Sequence, residues 1–526
     1  MCGIFLDISE AKHEGDYDLP KLREYGNKIS HRGPDSSVEK VFTDHEVEKN
    51  FYFLFHRLAI NGLNEMGNQP MELNNKILMC NGEIYNYKEL AKKYNITLKT
   101  GSDCEIILHL SMILPINSYI HMLDGVFSFV IYDKSSKCLT IGHDPLGVRP
   151  LYWRKGNDSD CKNITLSSEM KSLYVPLGGD MYLDNIEFYP PGSFSLYYPK
   201  TNKLHTYSYY NFIYDRITSD EETILHTIKS KLTEAVKKRL IGERGVGCLL
   251  SGGLDSSIIT SVVCKFMEPS NVKTFSIGLE GSPDLIASEK VAKHLGTDHT
   301  SIVISEDEMY EAIDETIYQI ESGDTTTIRA SVPMFLLSKY ISENTDIKVI
   351  LSGEGSDEAS GSYLYFHKAP SNRDFEEETI RLLKDVHMFD VLRADKTTAG
   401  NGLELRVPFF DKEFLNYYMG INPELKVVRD GMEKYLLRKS FEGELPEELL
   451  WRRKDGFSDG VSKKERPWYE IIDEKSKLNG YKGERDLYSC IFKKYYGNVC
   501  EIIPYEWMPK WVNCESGNPS GRLILN

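Results

Sequence analysis

Apolar and polar positions along this chain follow two rhythms. In the first two hundred residues, short runs rich in β-branched and aromatic residues alternate with turn clusters, and residues 51–55, 126–132, 138–141 and 193–198 each read as a strand. Helical stretches intervene, as at 105–110, so the pattern predicts an α+β unit with much sheet. Between about residues 199 and 220 the chain turns polar and Tyr-rich without a clear period, as a domain connection does.

From Ile224 the period changes: Ile224, Ile228, Leu232, Val236 and Leu240 fall on one helical face. A buried-strand run at 246–250 leads into S-G-G-L-D-S-S (251–257) and a further apolar helix. A second strand at 273–279 precedes a helix around 289–294, and a third at 347–351 ends in S-G-E-G-S-D-E (352–358). Strands alternating with helices predict a doubly wound parallel sheet, whose ligands lie at the carboxyl ends of its strands. At 526 residues the chain exceeds one core, and the expected division is 2–205, a connection at 206–222, 223–515, and a tail at 516–526.

Composition narrows the classes. Hydrophobic residues at 41% and charged residues at 27% fit a globular protein, and the net charge of −16 opposes a nucleic-acid partner. The start Met-Cys-Gly-Ile-Phe-Leu-Asp lacks a signal peptide's basic and apolar segments, and no apolar run is long enough to span a membrane. Ten cysteines (2, 80, 104, 138, 161, 248, 264, 490, 500, 514) form no C-x-x-C pair and read as reduced thiols of a cytoplasmic protein.

Two sites carry chemistry. A strand running through Ser251, Gly252, Gly253, Asp255, Ser256 and Ser257 into a helix aims successive N–H groups at one point, a geometry that binds phosphate. Asp255 repels phosphate directly and suits a bridging Mg²⁺, with Asp357 as the second carboxylate; the competing reading makes Asp255 a helix N-cap. The loop is not a Walker A motif. Cys2 follows a removable initiator Met, and an α-amine freed there titrates near ~7.7 and can serve its own thiol as base.

In order, C-G-I (2–4), H-R-G-P-D (31–35), H-R-L-A-I (56–60), N-G-E-I-Y-N (81–86), G-S-D-C-E (101–105) and D-P-L-G-V-R-P (144–150) resemble the glutaminase domain of class II amidotransferases. That resemblance implies an N-terminal-nucleophile fold, a four-layer α/β/β/α sandwich. It makes Cys2 the nucleophile, Asn81 and the Gly82 N–H the oxyanion hole, Arg57 the partner of the glutamine carboxylate, and Glu83 and Asp103 that of its ammonium. Taken singly, Asn81-Gly82 also reads as a hairpin turn, Asp103 as an N-cap and Arg57 as a surface ion pair.

The second half resembles glutamine-hydrolysing asparagine synthetases through F-S-I-G-L (275–279), T-T-I-R-A (326–330), L-S-G-E-G-S-D-E (351–358), L-R-V-P-F (405–409) and K-D-G-F-S-D (454–459). The resemblance implies ATP and Mg²⁺, with Leu250, Ile277, Ser352 and Gly353 around the nucleotide and Asp255 and Asp357 on the metal. Glu354 would take a proton from ammonia, while Lys454 and Arg329 would neutralise phosphate; for Lys454 the bland alternative is a solvated lysine in a charged run. Implied substrates are L-glutamine, L-aspartate and ATP, and a homodimer is compatible with the family. Two alternatives stay open: a related amidotransferase or cyclase acting on another carboxylate, and a non-catalytic regulatory homologue. The chain departs from the family at Ala359-Ser-Gly-Ser-Tyr363, where V-F-G-G-Y is common, at Ser36-Ser37-Val38 after Asp35, and at His143, where Arg is frequent.

Overall fold

The computed structural model describes all residues except 12–17, 156–160, 174, 178–179, 183–185, 498–501, 513–517 and 522–526. Its first half stacks two six-stranded sheets. One runs, in spatial order, through Ile186–Phe188, Tyr152–Lys155, Ile164–Ser167, Gly3–Glu10, Lys49–Arg57 and Ser36–Asp44. The other runs through Lys203–Ser208, Ser193–Tyr198, Cys138–His143, Gly125–Asp133, Lys76–Ile84 and Met71–Leu73, and every described pairing within the two sheets is antiparallel.

Alternation along the strands builds the layers. Ile4, Leu6, Ile8, Phe51, Phe53 and Phe55 meet Ile77, Met79, Val130 and Ile141 in a core between the sheets. Their sequence neighbours Phe5, Tyr52 and Leu54 point the other way, to Tyr25 on the helix Leu19–Asn27. On the far side, Leu78, Phe127, Phe129 and Ile131 pack on Ile106, Ile107 and Leu110 of the helix Glu105–Ile113. Those layers make the expected α/β/β/α sandwich.

The strand Lys203–Ser208 overruns the expected boundary at residue 205, so the first half continues to Ser208. Its side chains are nearly all exposed at a sheet edge, which leaves no apolar signal to read. The second half begins with the helix Glu221–Lys238, capped by Asp220, whose carboxylate accepts the Thr223 N–H at 2.8 Å. Ile224, Ile228, Leu232 and Val236 are buried as expected, while Leu240 lies beyond the helix end.

Five parallel strands follow in the order Asp298–Ile304, Lys273–Leu279, Gly245–Leu249, Ile347–Leu351, Glu404–Arg406. The chain builds outward on one side of Gly245–Leu249, then returns to place Ile347–Leu351 on its other side. The direction of winding reverses between those two strands, and a crevice opens there at their carboxyl ends. Both signature loops, 251–257 and 352–358, leave from this point.

The halves share cores. Leu58 and Ile60 pack with Ile258 and Phe409, while Met1, Tyr85, Val126 and Leu146 pack with Leu403 and Val407. Polar contacts cross as well: the Glu321 carboxylate accepts the N–H groups of Met170 (2.8 Å) and Lys171 (2.7 Å). Among the described residues no helix is long and apolar enough to cross a membrane, and the eight described cysteines are free; Cys500 and Cys514 lie outside the described residues.

Candidate active site

Cys2 stands immediately before the strand Gly3–Glu10, which places it at the end of the first sheet facing Asn81 on the strand Lys76–Ile84. The Cys2 backbone N–H donates to Asn81 Oδ1 at 2.8 Å, and its thiol lies 3.7 Å from the Leu58 carbonyl. Asn81 is fully buried, and its Nδ2 has no hydrogen-bond partner. An amide donor in that state beside a thiol is a ready oxyanion ligand. Burial pushes the Cys2 thiol above its ordinary range, so a base is needed to make the thiolate. Met1 is buried at the junction, its amine 3.6 Å from Glu404, and with Met1 in place the Cys2 nitrogen is an amide.

One pocket collects Cys2, Arg57, Asn61, Gly82, Glu83 and Asp103, together with Glu404 from the second half. Arg57 donates to the carbonyls of Asn61, Gly62 and Asn64 and to Asn68 Oδ1, at 2.5 to 3.1 Å. None of those acceptors is a carboxylate, so the guanidinium keeps its charge for a ligand, and the surface-ion-pair reading does not hold. Gly82 abuts the neighbouring strand: a Cβ there would sit 2.2 Å from the Val126 carbonyl.

Glu83 and Asp103 share the Asn61 amide, at 2.8 and 3.4 Å. Burial, then the Asp103 charge, drives the Glu83 carboxyl well above its usual range, and burial raises Asp103 to about 6. Two desolvated acids side by side form a receptor for a cation. Asp103 is no N-cap: Cys104 holds that position, and the Asp103 carboxylate accepts the Ile84 N–H at 2.6 Å. Asn61 and Glu404 were not singled out in the sequence. A-I-N-G and L-E-L-R carry no motif by themselves, and only the docking of the halves brings Glu404 here.

In the second half, the cleft at the switch point is lined by Leu250, Ser251, Gly253, Asp255, Ser256, Ile277, Ser352, Gly353, Glu354, Asp357 and Lys454. Gly252 and Ser257 are outside this lining and shape the loop instead. Gly252 adopts φ +70°, and a Cβ on it would lie 2.5 Å from the Ala287 backbone, while the Ser257 hydroxyl is spent on the Gly253 carbonyl at 2.7 Å. Gly253 is the N-cap of the helix Leu254–Val263, so Asp255 in its first turn is free of capping.

Asp255 accepts from the Ser356 hydroxyl at 2.7 Å and from Lys434 Nζ at 2.6 Å. The same ammonium lies 2.6 Å from Asp357, which Lys454 also meets at 2.5 Å. Burial alone would raise the Asp357 carboxyl, but Lys434 and Lys454 outweigh it and hold the group far below the usual carboxylate range. Lys454 is therefore not a solvated lysine. Lys434, not singled out in the sequence because D-G-M-E-K-Y (430–435) matches no phosphate-loop or metal motif, sits at φ +58° ahead of the helix Tyr435–Ser440. Glu354 pairs with Arg393 at 2.8 Å; burial raises its carboxyl against the pull of that cation. In the departing segment, Gly361 closes the short helix Ser356–Ser360 at φ +61° and the Ser362 hydroxyl donates to Asp357 at 2.5 Å, so the change adds a donor at the acid.

Arg329 corrects an expectation. Its guanidinium is engaged by Glu484 (Nε to Oε1, 2.7 Å) and by Asn518 (2.7 Å), and it does not line the cleft. A buried arginine seeks a carboxylate fork first, and the Glu484 helix, distant in sequence, supplies one. Among the described residues no group of three or more His, Cys, Asp or Glu is arranged to hold a metal. Asp255 and Asp357 alone still fit Mg²⁺, which takes one or two carboxylates and completes its shell with substrate phosphate and water.

A thiol beside an unsatisfied amide in a double-sheet sandwich, joined to a parallel sheet with an acid- and lysine-lined crevice, defines an enzyme with two reaction centres. Residues 1–196 match the glutamine amidotransferase domain model, and residues 227–380 and 370–497 match that of asparagine synthase. Asparagine synthetases [glutamine-hydrolyzing] of Gallus gallus and Homo sapiens are each 39% identical over 100% of this chain and 98% and 99% of their own length. A probable asparagine synthetase of Acanthamoeba polyphaga mimivirus is also 39% identical, over the whole of both chains. The chain belongs to the family of glutamine-hydrolysing asparagine synthetases.

Proposed function

We propose that this enzyme converts L-aspartate, L-glutamine, ATP and water to L-asparagine, L-glutamate, AMP and diphosphate, with glutamine cleaved in the first half and aspartate activated in the second. The observation that carries the reading is the Cys2–Asn81 pair, a nucleophile whose neighbouring buried amide nitrogen has no hydrogen-bond partner.

Glutamine sits with its carboxylate on Arg57 and its ammonium on Glu83 and Asp103, which suits a free amino acid. Loss of Met1 leaves Cys2 with an α-amine that removes the thiol proton. The thiolate attacks the carboxamide, and the oxyanion takes hydrogen bonds from Asn81 Nδ2 and the Gly82 N–H, one such donor being worth ~3 kcal/mol. Ammonia leaves, water frees glutamate from the thioester, and ammonia passes inside the protein to the second centre.

There Leu250, Ile277, Ser352 and Gly353 enclose the nucleotide, and the Ser251–Gly253 backbone with Ser256 meets its phosphates. The aspartate β-carboxylate attacks the α-phosphorus and displaces diphosphate, whose charge Lys434 and Lys454 balance. Asp255 and Asp357 would hold Mg²⁺, which supplies further charge neutralisation on the phosphates. Glu354 accepts a proton as ammonia attacks the β-aspartyl adenylate and AMP departs. The family reading carries a cytoplasmic location and is compatible with a homodimer.

Mass spectrometry of products from ATP, aspartate and amide-¹⁵N glutamine tests the whole scheme. Labelled asparagine with AMP is expected. Release of ADP in place of AMP would rule out the adenylate, and unlabelled asparagine would rule out glutamine as donor.

A further inference from the structure

The helix Asp390–Ala399 serves both centres. Toward the nucleotide cleft, Arg393 donates to Glu354 at 2.8 Å and to Asp390 at 2.7 Å. Two residues on, about 200° around the helix, Asp395 points into the junction. Its Oδ2 accepts from Arg32 Nη2 at 2.7 Å and its Oδ1 from Arg149 Nη1 at 3.3 Å. Arg32, from the first half, then donates through Nε to the backbone carbonyl of Cys2 at 2.9 Å and through Nη1 to Glu169 at 2.7 Å. Arg32 and Glu169 are 0% exposed and Asp395 is 1% exposed.

The nucleophile's main chain is thus gripped on both sides: its nitrogen by Asn81 and its carbonyl by Arg32. The orientation of Arg32 is set by one carboxylate from each half. Glu169 is divided among Arg32, Lys171 (2.6 Å) and His31 (3.1 Å), whereas Asp395 gives Arg32 an oxygen of its own, Oδ2, and meets Arg149 through Oδ1, so Asp395 is the anion that fixes the far prong of the fork.

We propose that Asp395 is a positioning residue for the nucleophile. Contributed by the nucleotide-binding half, it aims Arg32 and through it the Cys2 main chain, so that the thiol is aligned with the Asn81 amide only where the halves are docked. The proposal rests on the glutamine-cleaving role of Cys2.

Asp395→Asn in the full chain is the test, because it keeps the shape and removes the charge. Glutamine hydrolysis should lose at least about tenfold in kcat, the scale of a charge-assisted hydrogen bond, while glutamine KM and ammonia-dependent asparagine synthesis stay within about twofold. Asp395→Glu should recover part of the loss. In Arg32→Lys the Asp395→Asn change should have little further effect, since both act through one contact. Thermal unfolding of each variant identifies folded protein. Unchanged hydrolysis in folded Asp395→Asn overturns the proposal, as does an equal fall of hydrolysis and ammonia-dependent synthesis, which would mark Asp395 as a mere junction tie. A wild-type chain that cleaves no glutamine would overturn the functional reading and this proposal together, and is told apart by the wild type failing first.

Discussion

Asp103 shows how a single buried side chain can set the pH range of a site. Burial raises its pKa to about 6, so in the empty pocket the acid is neutral below that pH and anionic above it. The sign follows directly. A folded pKa above the unfolded ~3.9 means that the unliganded protein loses stability as pH climbs from about 4 to 6, and a bound ammonium offsets that loss. Glutamine KM should therefore be flat above about pH 7 and rise on acidification below about 6, up to tenfold per unit. The Asp103→Asn variant should show a high KM without the inflection. A profile that keeps its inflection in that variant would assign the titration to another group. At this scale Cys2, Arg57 and Asp103 share one pocket, Asn81 faces Cys2, and Asp255, Asp357 and Lys454 line the cleft, and each falls in a short contiguous signature that the sequence displays. Asn61, Lys434 and Glu404 fall in no such signature, since each reaches its pocket beside neighbours remote in sequence, and Arg329 lies outside the cleft lining because its partner Glu484, 155 residues away, engages it.

Elements tell a similar story. The strands Lys273–Leu279 and Ile347–Leu351 match their expected bounds, while the runs at 51–55 and 126–132 sit inside the longer strands Lys49–Arg57 and Gly125–Asp133, since burial on a face leaves a period in the sequence but a strand's ends do not. The exposed edge strand Lys203–Ser208 and the three-residue strand Glu404–Arg406 leave none, the first for want of a buried face and the second for want of length. The loop 251–257 is held by its serine hydroxyls and by the left-handed turn at Gly252, and that turn gives it a sharp test. Gly252→Ala forces a Cβ to 2.5 Å from Ala287 at a left-handed φ. The substitution should cost roughly 1–3 kcal/mol in urea unfolding. ATP–pyrophosphate exchange with aspartate should also fall by at least about tenfold, because backbone N–H groups no longer converge. Exchange at the wild-type rate would detach this loop from phosphate binding.

For the whole molecule, two chemistries lie in two folds, and one substitution should part them. Cys2→Ala removes the only nucleophile proposed for glutamine and touches nothing in the cleft, so glutamine hydrolysis should vanish while asparagine synthesis from ammonium salts at high pH proceeds at a rate comparable to wild type. Loss of the ammonia reaction in a folded Cys2→Ala protein would place the thiol in the synthetase step itself. The change of period near Ile224 falls between the antiparallel sheets and the parallel one, whereas the junction leaves no mark in the sequence, because shared cores and crossing ion pairs are made by residues with no common pattern. That junction has a consequence for the covalent link. Leu58, Tyr85 and Val126 are sealed into cores of the other half, and Glu321 caps a turn belonging to the first. The stretch between Ser208 and Glu221 is itself moored to both halves, the Tyr209 hydroxyl donating to the His143 carbonyl at 2.7 Å and the Ile217 N–H to the Gly420 carbonyl at 2.9 Å: the covalent link guarantees equal numbers of the two halves, while the buried contacts, its own included, measure out the distance between their reactions.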